Sequence, residues 1–175
     1  MPGSLLKEEE SIISIAHVIG VDPGLVHTGV VGLLFGTKAR RVTISHVVID
    51  GPDAAAVAIW VQSKAALRSK VFVEAYRPRQ NLNADQRMTQ VEHELRRELP
   101  SAKFLPNMGI KRVITQEMMD LLEVWTFPST THHQDLRSAA RIALLGMVKD
   151  PDMNVILADV VHAHIDGRPW TISHE

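Results

Sequence analysis

Three carboxylates stand where elements of structure begin or end. Asp22 closes the apolar run "HVIGVDPG" directly before Pro23-Gly24, Glu74 closes the short run "KVFVEA", and Asp135 opens the stretch "DLRSAARIALLG", with His132 three residues ahead of it. A charge at the end of a buried strand costs desolvation unless it is paired, hydrogen-bonded or bound to a cation. Carboxylates gathered in one small site raise one another's pKa, and a hard divalent cation bound through oxygen relieves that repulsion. Mg²⁺ is the expected ion, with Mn²⁺ as a substitute. Two such ions about 3.5 to 4 Å apart activate a water and stabilise the leaving oxygen in phosphodiester hydrolysis. Each residue alone has an ordinary reading: an Asp before Pro-Gly as a turn residue, a strand-end Glu as solvated, an Asp at a helix start as a cap. The joint pattern carries the metal reading.

The surrounding sequence must bring these residues together. A strand ending at Asp22, the Pro-Gly turn and a second apolar run from about residue 28 to 35 predict a hairpin, and "RRVTISHVVID" alternates as a third strand. "AAAVAIWVQSKAALR" reads as a helix capped by Asp53, followed by the β-rich "KVFVEA". "NADQRMTQVEHELRREL" is a helix with Met88, Val91 and Leu95 on one face, stopped by Pro100. "AKFLP" is a brief strand, "TQEMMDLLEVW" a short helix and "DLRSAARIALLGMVK" a longer one. Long crossovers imply parallel pairing for the later strands and short connections imply antiparallel pairing for the first. The expectation is an α/β fold: a mixed five-stranded sheet with helices on both faces. In such a sheet the first and fourth strands can lie side by side and parallel, which brings Asp22 and Glu74 to one edge, where α/β sheets place their sites. A final helix packed across that edge adds Asp135, and His132 shares its i, i+3 face.

The 175 residues, 45% hydrophobic and 22% charged, suit one domain over 12–175 behind a flexible tail at 1–11. No apolar run approaches the roughly 20 residues that span a bilayer, so no membrane segment is expected. The chain has no cysteine, and the N-terminal segment carries an acidic cluster where a secretory signal would be basic; a cytoplasmic setting is the expectation. The net charge of −1 hides an uneven distribution: from Arg68 to Arg112 there are ten Lys or Arg against five Asp or Glu. That stretch reads either as a solvated helix face or as a surface for phosphates. Arg77, Arg79 and Arg87 follow Glu74 closely and would flank the site, where they could hold a DNA backbone.

The segments "VIGVDPGLVHTGVV", "KVFVEA" followed by "NADQRMTQVEHELRREL", and "HHQDLRSAARIALLG" resemble, in order and spacing, the motifs of the RuvC-type Holliday junction resolvases of the RNase H-like nuclease superfamily. The resemblance runs from about residue 17 to 150. It implies an RNase H-like nuclease domain in which Asp22, Glu74 and Asp135 are metal ligands and His132 takes the place of a fourth. It implies a crossover junction endonuclease, a homodimer that nicks two strands of a four-way DNA junction, with forks or flaps as related branched substrates. Compact chains of this kind are similar to those carried by bacteriophages. Family members use a lysine before their late helices, which "NMGIKRVIT" offers as Lys111, with Arg112 beside it. They also commonly carry an aromatic residue three positions after the strand-end glutamate; here that position is Arg77, and Tyr76 lies one residue earlier.

Other features point elsewhere. "HAHIDG" and "HHQD" suggest a soft-metal site, but His162 and His164 share a side only in an extended chain, and the segment reads as a solvated strand. Trp60 and Trp125 suit the core or a dimer contact better than base stacking. An actin-like ATPase also opens with an Asp-x-Gly turn, and "IDG" at 165–167 imitates a second one, but that architecture needs two similar lobes and this chain is short for them. A non-catalytic DNA-junction binder on the same fold is the remaining alternative.

Overall fold

The computed structural model describes residues 15–64, 69–78 and 80–175. The tail expected at 1–11, the last turn expected of the first helix at 65–68, and Arg79 lie outside the described residues. The chain runs through β1 (Ile15–Asp22), β2 (His27–Gly36), β3 (Arg41–Asp50), α1 (Ala54–Lys64), β4 (Lys70–Glu74), α2 (Leu82–Glu98) and β5 (Lys103–Leu105). It continues through α3 (Ile110–Val113), α4 (Gln116–Leu121), α5 (His133–Lys149), α6 (Pro151–Ile165) and β6 (Thr171–His174).

These strands form one mixed sheet in the order β5-β4-β1-β2-β3-β6. The pairs β1–β2 and β2–β3 are antiparallel, as two short turns require, while β1–β4, β4–β5 and β3–β6 are parallel. Alternation along the strands sends side chains to two apolar layers. Val18, Leu33, Phe35, Ile44 and Phe72 meet α5 and α6 on one face, and Ile19, Val21, Val30 and Val73 meet α1 and α2 on the other. Helices therefore cover both faces, as the crossovers predict. No helix among the described residues is long and apolar enough to cross a membrane.

The local chemistry of the helices follows the sequence. Asp53 caps α1 by accepting from the amide of Ala56 at 2.9 Å, and Asn81 and Thr115 cap α2 and α4 through Ala84 and Met118. Val91 and Leu95 bury the inner face of α2, whereas Met88, one turn before Val91, is half-buried. Trp60 and Trp125 each pack against an apolar layer.

Two expectations change. The sheet has six strands, not five: β6 adds four residues along the edge of β3, from Thr171 beside Arg41 to His174 beside Ile44. A strand of that length, with Ile172 as its one large apolar residue, gives no alternation long enough to read. The "HAHIDG" stretch is not a strand but the end of α6, which starts from Asp150 as cap and Pro151 at its first turn. On a helix His162 and His164 are about 200° apart, at about 100° per residue, and face different ways.

Candidate active site

Strand register builds half of the site. Val21 of β1 stands beside Val73 of β4 in parallel, so the next residue of each, Asp22 and Glu74, leaves the sheet at the same edge. The turn after Asp22 is fastened to the end of β3. The amide of Gly51 donates to the carbonyl of Val26 at 2.6 Å, and the Thr28 hydroxyl donates to the carbonyl of Gly51 at 3.1 Å.

The other half comes from α5, which lies directly on β1 and β2. Across the hairpin Asp22 is in register with Gly29, and a β-carbon on Gly29 would stand 2.5 Å from the carbonyl oxygen of Asp135. Gly20 likewise faces the backbone of Ala139. The missing side chains let the helix settle against the sheet and carry Asp135 to the edge that holds Asp22. His132 is the N-terminal cap residue of α5, yet its side chain makes no capping bond. Its Nδ1 lies 3.7 Å from Oδ2 of Asp135, and its ring meets the edge of His27 with centroids 4.3 Å apart.

The electrostatics register the crowding. Burial pushes the Asp22 carboxyl up to about 8, helped by the charge and hydrogen bond of Glu74 and by the charge of Asp135, while a hydrogen bond with Ser138 acts the other way. Asp22 thus ionises reluctantly while hydrogen-bonded to Glu74. Glu74 also accepts from the side-chain amide of Asn107. Among the described residues no three His, Asp or Glu side chains converge as a preformed metal cage. The groups are instead tied in pairs, Asp22 with Glu74 and Ser138, Glu74 with Asn107, Asp135 with His132. The donor set itself, carboxylate oxygens and one imidazole around a carboxyl that ionises reluctantly, fits a divalent cation that would take the place of the shared proton.

The four sequence-predicted groups Asp22, Glu74, His132 and Asp135 therefore meet at one edge. Sequence reading missed Gly29, His27, Ser138 and Asn107. Ser138 had a signal, one helical turn after Asp135; Asn107, in the loop after β5, had none.

The basic residues spread around this edge. Tyr76 and Arg77 line a cavity of about 100 Å³ with Pro23, Glu74, Met88 and Asn107. The Tyr76 hydroxyl is held by Asp85 and its amide donates to Glu92 at 2.8 Å, which ties the ring to α2. Arg77 is exposed and points one guanidinium nitrogen at the Met108 sulfur, 3.0 Å away. Arg87 lies on the exposed side of α2 beside Leu25 and Pro52. Lys111 and Arg112 are exposed on α3. None of these cations forms an ion pair among the described residues.

No protein-family model and no curated protein matches the chain. Solved structures do. A T. thermophilus RuvC in complex with a Holliday junction substrate shares 15% sequence identity over 89% of this chain and 98% of that chain, with a TM-score of 0.54. A second Thermus thermophilus RuvC structure shares 14% identity over 88% of this chain and 98% of that chain, with a TM-score of 0.51. At these identities the likeness speaks to architecture, and it agrees with the resemblance read from the motifs: the chain has the RNase H-like fold of the RuvC structures.

Proposed function

We propose that the chain is a divalent-metal-dependent endonuclease that cuts branched DNA, four-way junctions above all, by paired phosphodiester hydrolysis as a homodimer. The observation that carries this reading is the meeting of Asp22, Glu74 and Asp135 at one sheet edge, where burial first and then the two neighbouring carboxylates push the Asp22 carboxyl up to about 8. Groups whose ionisation is perturbed in this way cluster at functional sites, and a divalent cation relieves the repulsion among them. Asp22 and Glu74 would hold the cation from the sheet, and Asp135 and His132 from the helix. A bound Mg²⁺ or Mn²⁺ supplies a Lewis acid and lowers the pKa of water to that of a usable nucleophile.

The chain's own residues do the rest. Ser138 fixes the Asp22 carboxyl by its hydrogen bond, and Asn107 fixes Glu74. Lys111, Arg112, Arg77, Arg79 and Arg87 offer cations to the DNA backbone, with Lys111 facing the phosphate nearest the site. Tyr76, pinned to α2, is available as a ring against an unpaired base. The fold supports the branched substrate, since one of the structures it resembles is a RuvC bound to a Holliday junction. A pair of symmetric nicks needs two sites, which a homodimer provides.

Labelled four-way junction, fork, flap and linear duplex, each incubated with the protein and Mg²⁺, test the proposal. Symmetric nicks in the junction with little cutting of the duplex are expected. A protein that binds the junction and cuts none of the four is instead a branched-DNA binder, a reading favoured by the pairwise ties that hold the carboxylates short of a cage.

A further inference from the structure

Two arginines on α5 have no role in the site just described. Counting about 100° per residue from Asp135, whose backbone lies against Gly29, Arg137 and Arg141 leave the helix on the side away from the sheet. There both gather on Trp125. The guanidinium carbons lie 4.2 Å (Arg137) and 5.4 Å (Arg141) from the centre of its ring, and Nε of Arg137 donates to the Trp125 carbonyl. Both side chains are half-buried, neither forms an ion pair among the described residues, and Nε of Arg141 is buried without a hydrogen-bond partner.

This is an unbalanced arrangement. Burial, and then the charge of Arg137, hold the Arg141 guanidinium below the usual arginine range. Stacking on an indole orients guanidinium planes and leaves their outer N–H groups as forks, the geometry that matches phosphate oxygens. Trp125 also lines an open concavity of about 770 Å³, but Asp120 and Glu123 line it too. An anion inside that hollow would meet their charge, so the favourable position lies over the guanidinium groups. That suits an extended polyanion laid across the surface better than a small phosphate held in a pocket.

We propose that Arg137 and Arg141, stacked on Trp125, form a second contact for the DNA backbone, on the side of α5 opposite the carboxylates. The inference rests on the endonuclease reading and adds a named surface to it. At 1.5 Å per residue the two arginines lie about 3 and about 9 Å beyond Asp135 along the helix, so a strand that rounds the start of α5 from the cut reaches both.

The test is junction binding in chelator over a series of salt concentrations, for the parent, Arg141→Gln, Arg141→Lys and the double variant Arg137→Gln/Arg141→Gln. The slope of log affinity against log salt should fall by about one for Arg141→Gln and about two for the double variant, while Arg141→Lys keeps the parent slope. Arg141→Gln removes no hydrogen bond at Nε, so it keeps the test sound even if the double variant folds poorly. A parent slope in Arg141→Gln overturns the arginine contact and leaves the nuclease reading intact. A parent that binds no junction overturns both. A parent that binds in chelator and still does not cut once Mg²⁺ is supplied ends the nuclease reading, and the slopes still decide the contact.

Discussion

The carbonyl oxygen of Asp135 lies 2.5 Å from the point where a β-carbon on Gly29 would stand. A β-carbon does not approach a carbonyl oxygen that closely, so α5 can rest on β2 only because position 29 lacks a side chain. Gly29→Ala should push the start of α5 off the sheet, at a cost of about 1 to 3 kcal/mol, and lower cleavage by tenfold or more as Asp135 moves away from Asp22. Gly36→Ala on the same strand is the control. Its nearest neighbour would be 3.8 Å away, and both melting temperature and cleavage should stay near those of the parent. Equal behaviour of the two variants in thermal unfolding and junction cutting would remove Gly29 from the account.

The crowding at Asp22 has a signature in stability. Its pKa in the folded protein, about 8, stands above the ordinary value of 3.8. A raised pKa means the favourable, protonated form is fully present below about 3.8, and its contribution is lost as pH rises through about 8. In chelator, Asp22→Asn should therefore melt higher than the parent at pH 8.5, with the gain shrinking toward pH 4. A difference in melting temperature that does not change with pH would contradict the shift.

A second carboxylate titrates in the opposite sense. Asp150 joins α5 to α6: Oδ1 accepts from the amide of Met153 and Oδ2 from Nζ of Lys70 at 2.6 Å. Burial alone would raise its pKa, but the hydrogen bond from Lys70, the Met153 amide and the lysine charge outweigh it and hold the carboxyl below its usual range. Its stabilising contribution is present above about 3.8 and fades as pH falls below that value. Lys70 is 36% exposed, so solvent screens the ion pair. Asp150→Ala should cost about 1 to 2 kcal/mol near neutral pH, and the gap between Asp150 and Asp150→Asn should close in acid. Denaturant unfolding at pH 7 and pH 3 measures both.

His132 tests the ligand set. Replacing it with alanine should lower Mg²⁺-supported cleavage by about 10- to 100-fold, with partial recovery in Mn²⁺. His132→Asp should keep Mg²⁺ activity, because a carboxylate suits that ion better than an imidazole does. Cleavage by His132→Ala at the parent rate in Mg²⁺ would leave the three carboxylates as the whole set and His132 as a ring packed on His27.

The hairpin, the β1–β4 neighbourhood and the placement of Asp22, Glu74 and Asp135 were legible because alternation and connection length act over many residues. A charge at the end of a buried run also stands out on its own. β6 was not legible, since four residues carry too little pattern and its parallel pairing with β3 depends on a chain reversal 120 residues later. The helical end of α6 was masked by its histidines, which read as solvated whatever the backbone does. Gly29 and Asn107 stayed hidden for a different reason. Each matters through an atom far away in sequence, the Asp135 carbonyl or the Glu74 carboxylate, and no local preference reports such a contact.

The most direct test of the central claim is cleavage of a labelled four-way junction by Asp22→Asn in Mg²⁺. The substitution removes one negative charge from the cation site while keeping the shape of the side chain, so junction binding should hold and the fold should lose no stability while cutting falls by a thousandfold or more, or about 4 kcal/mol in the barrier. Undiminished cutting by Asp22→Asn under those conditions would contradict the assignment of this sheet edge as the catalytic site.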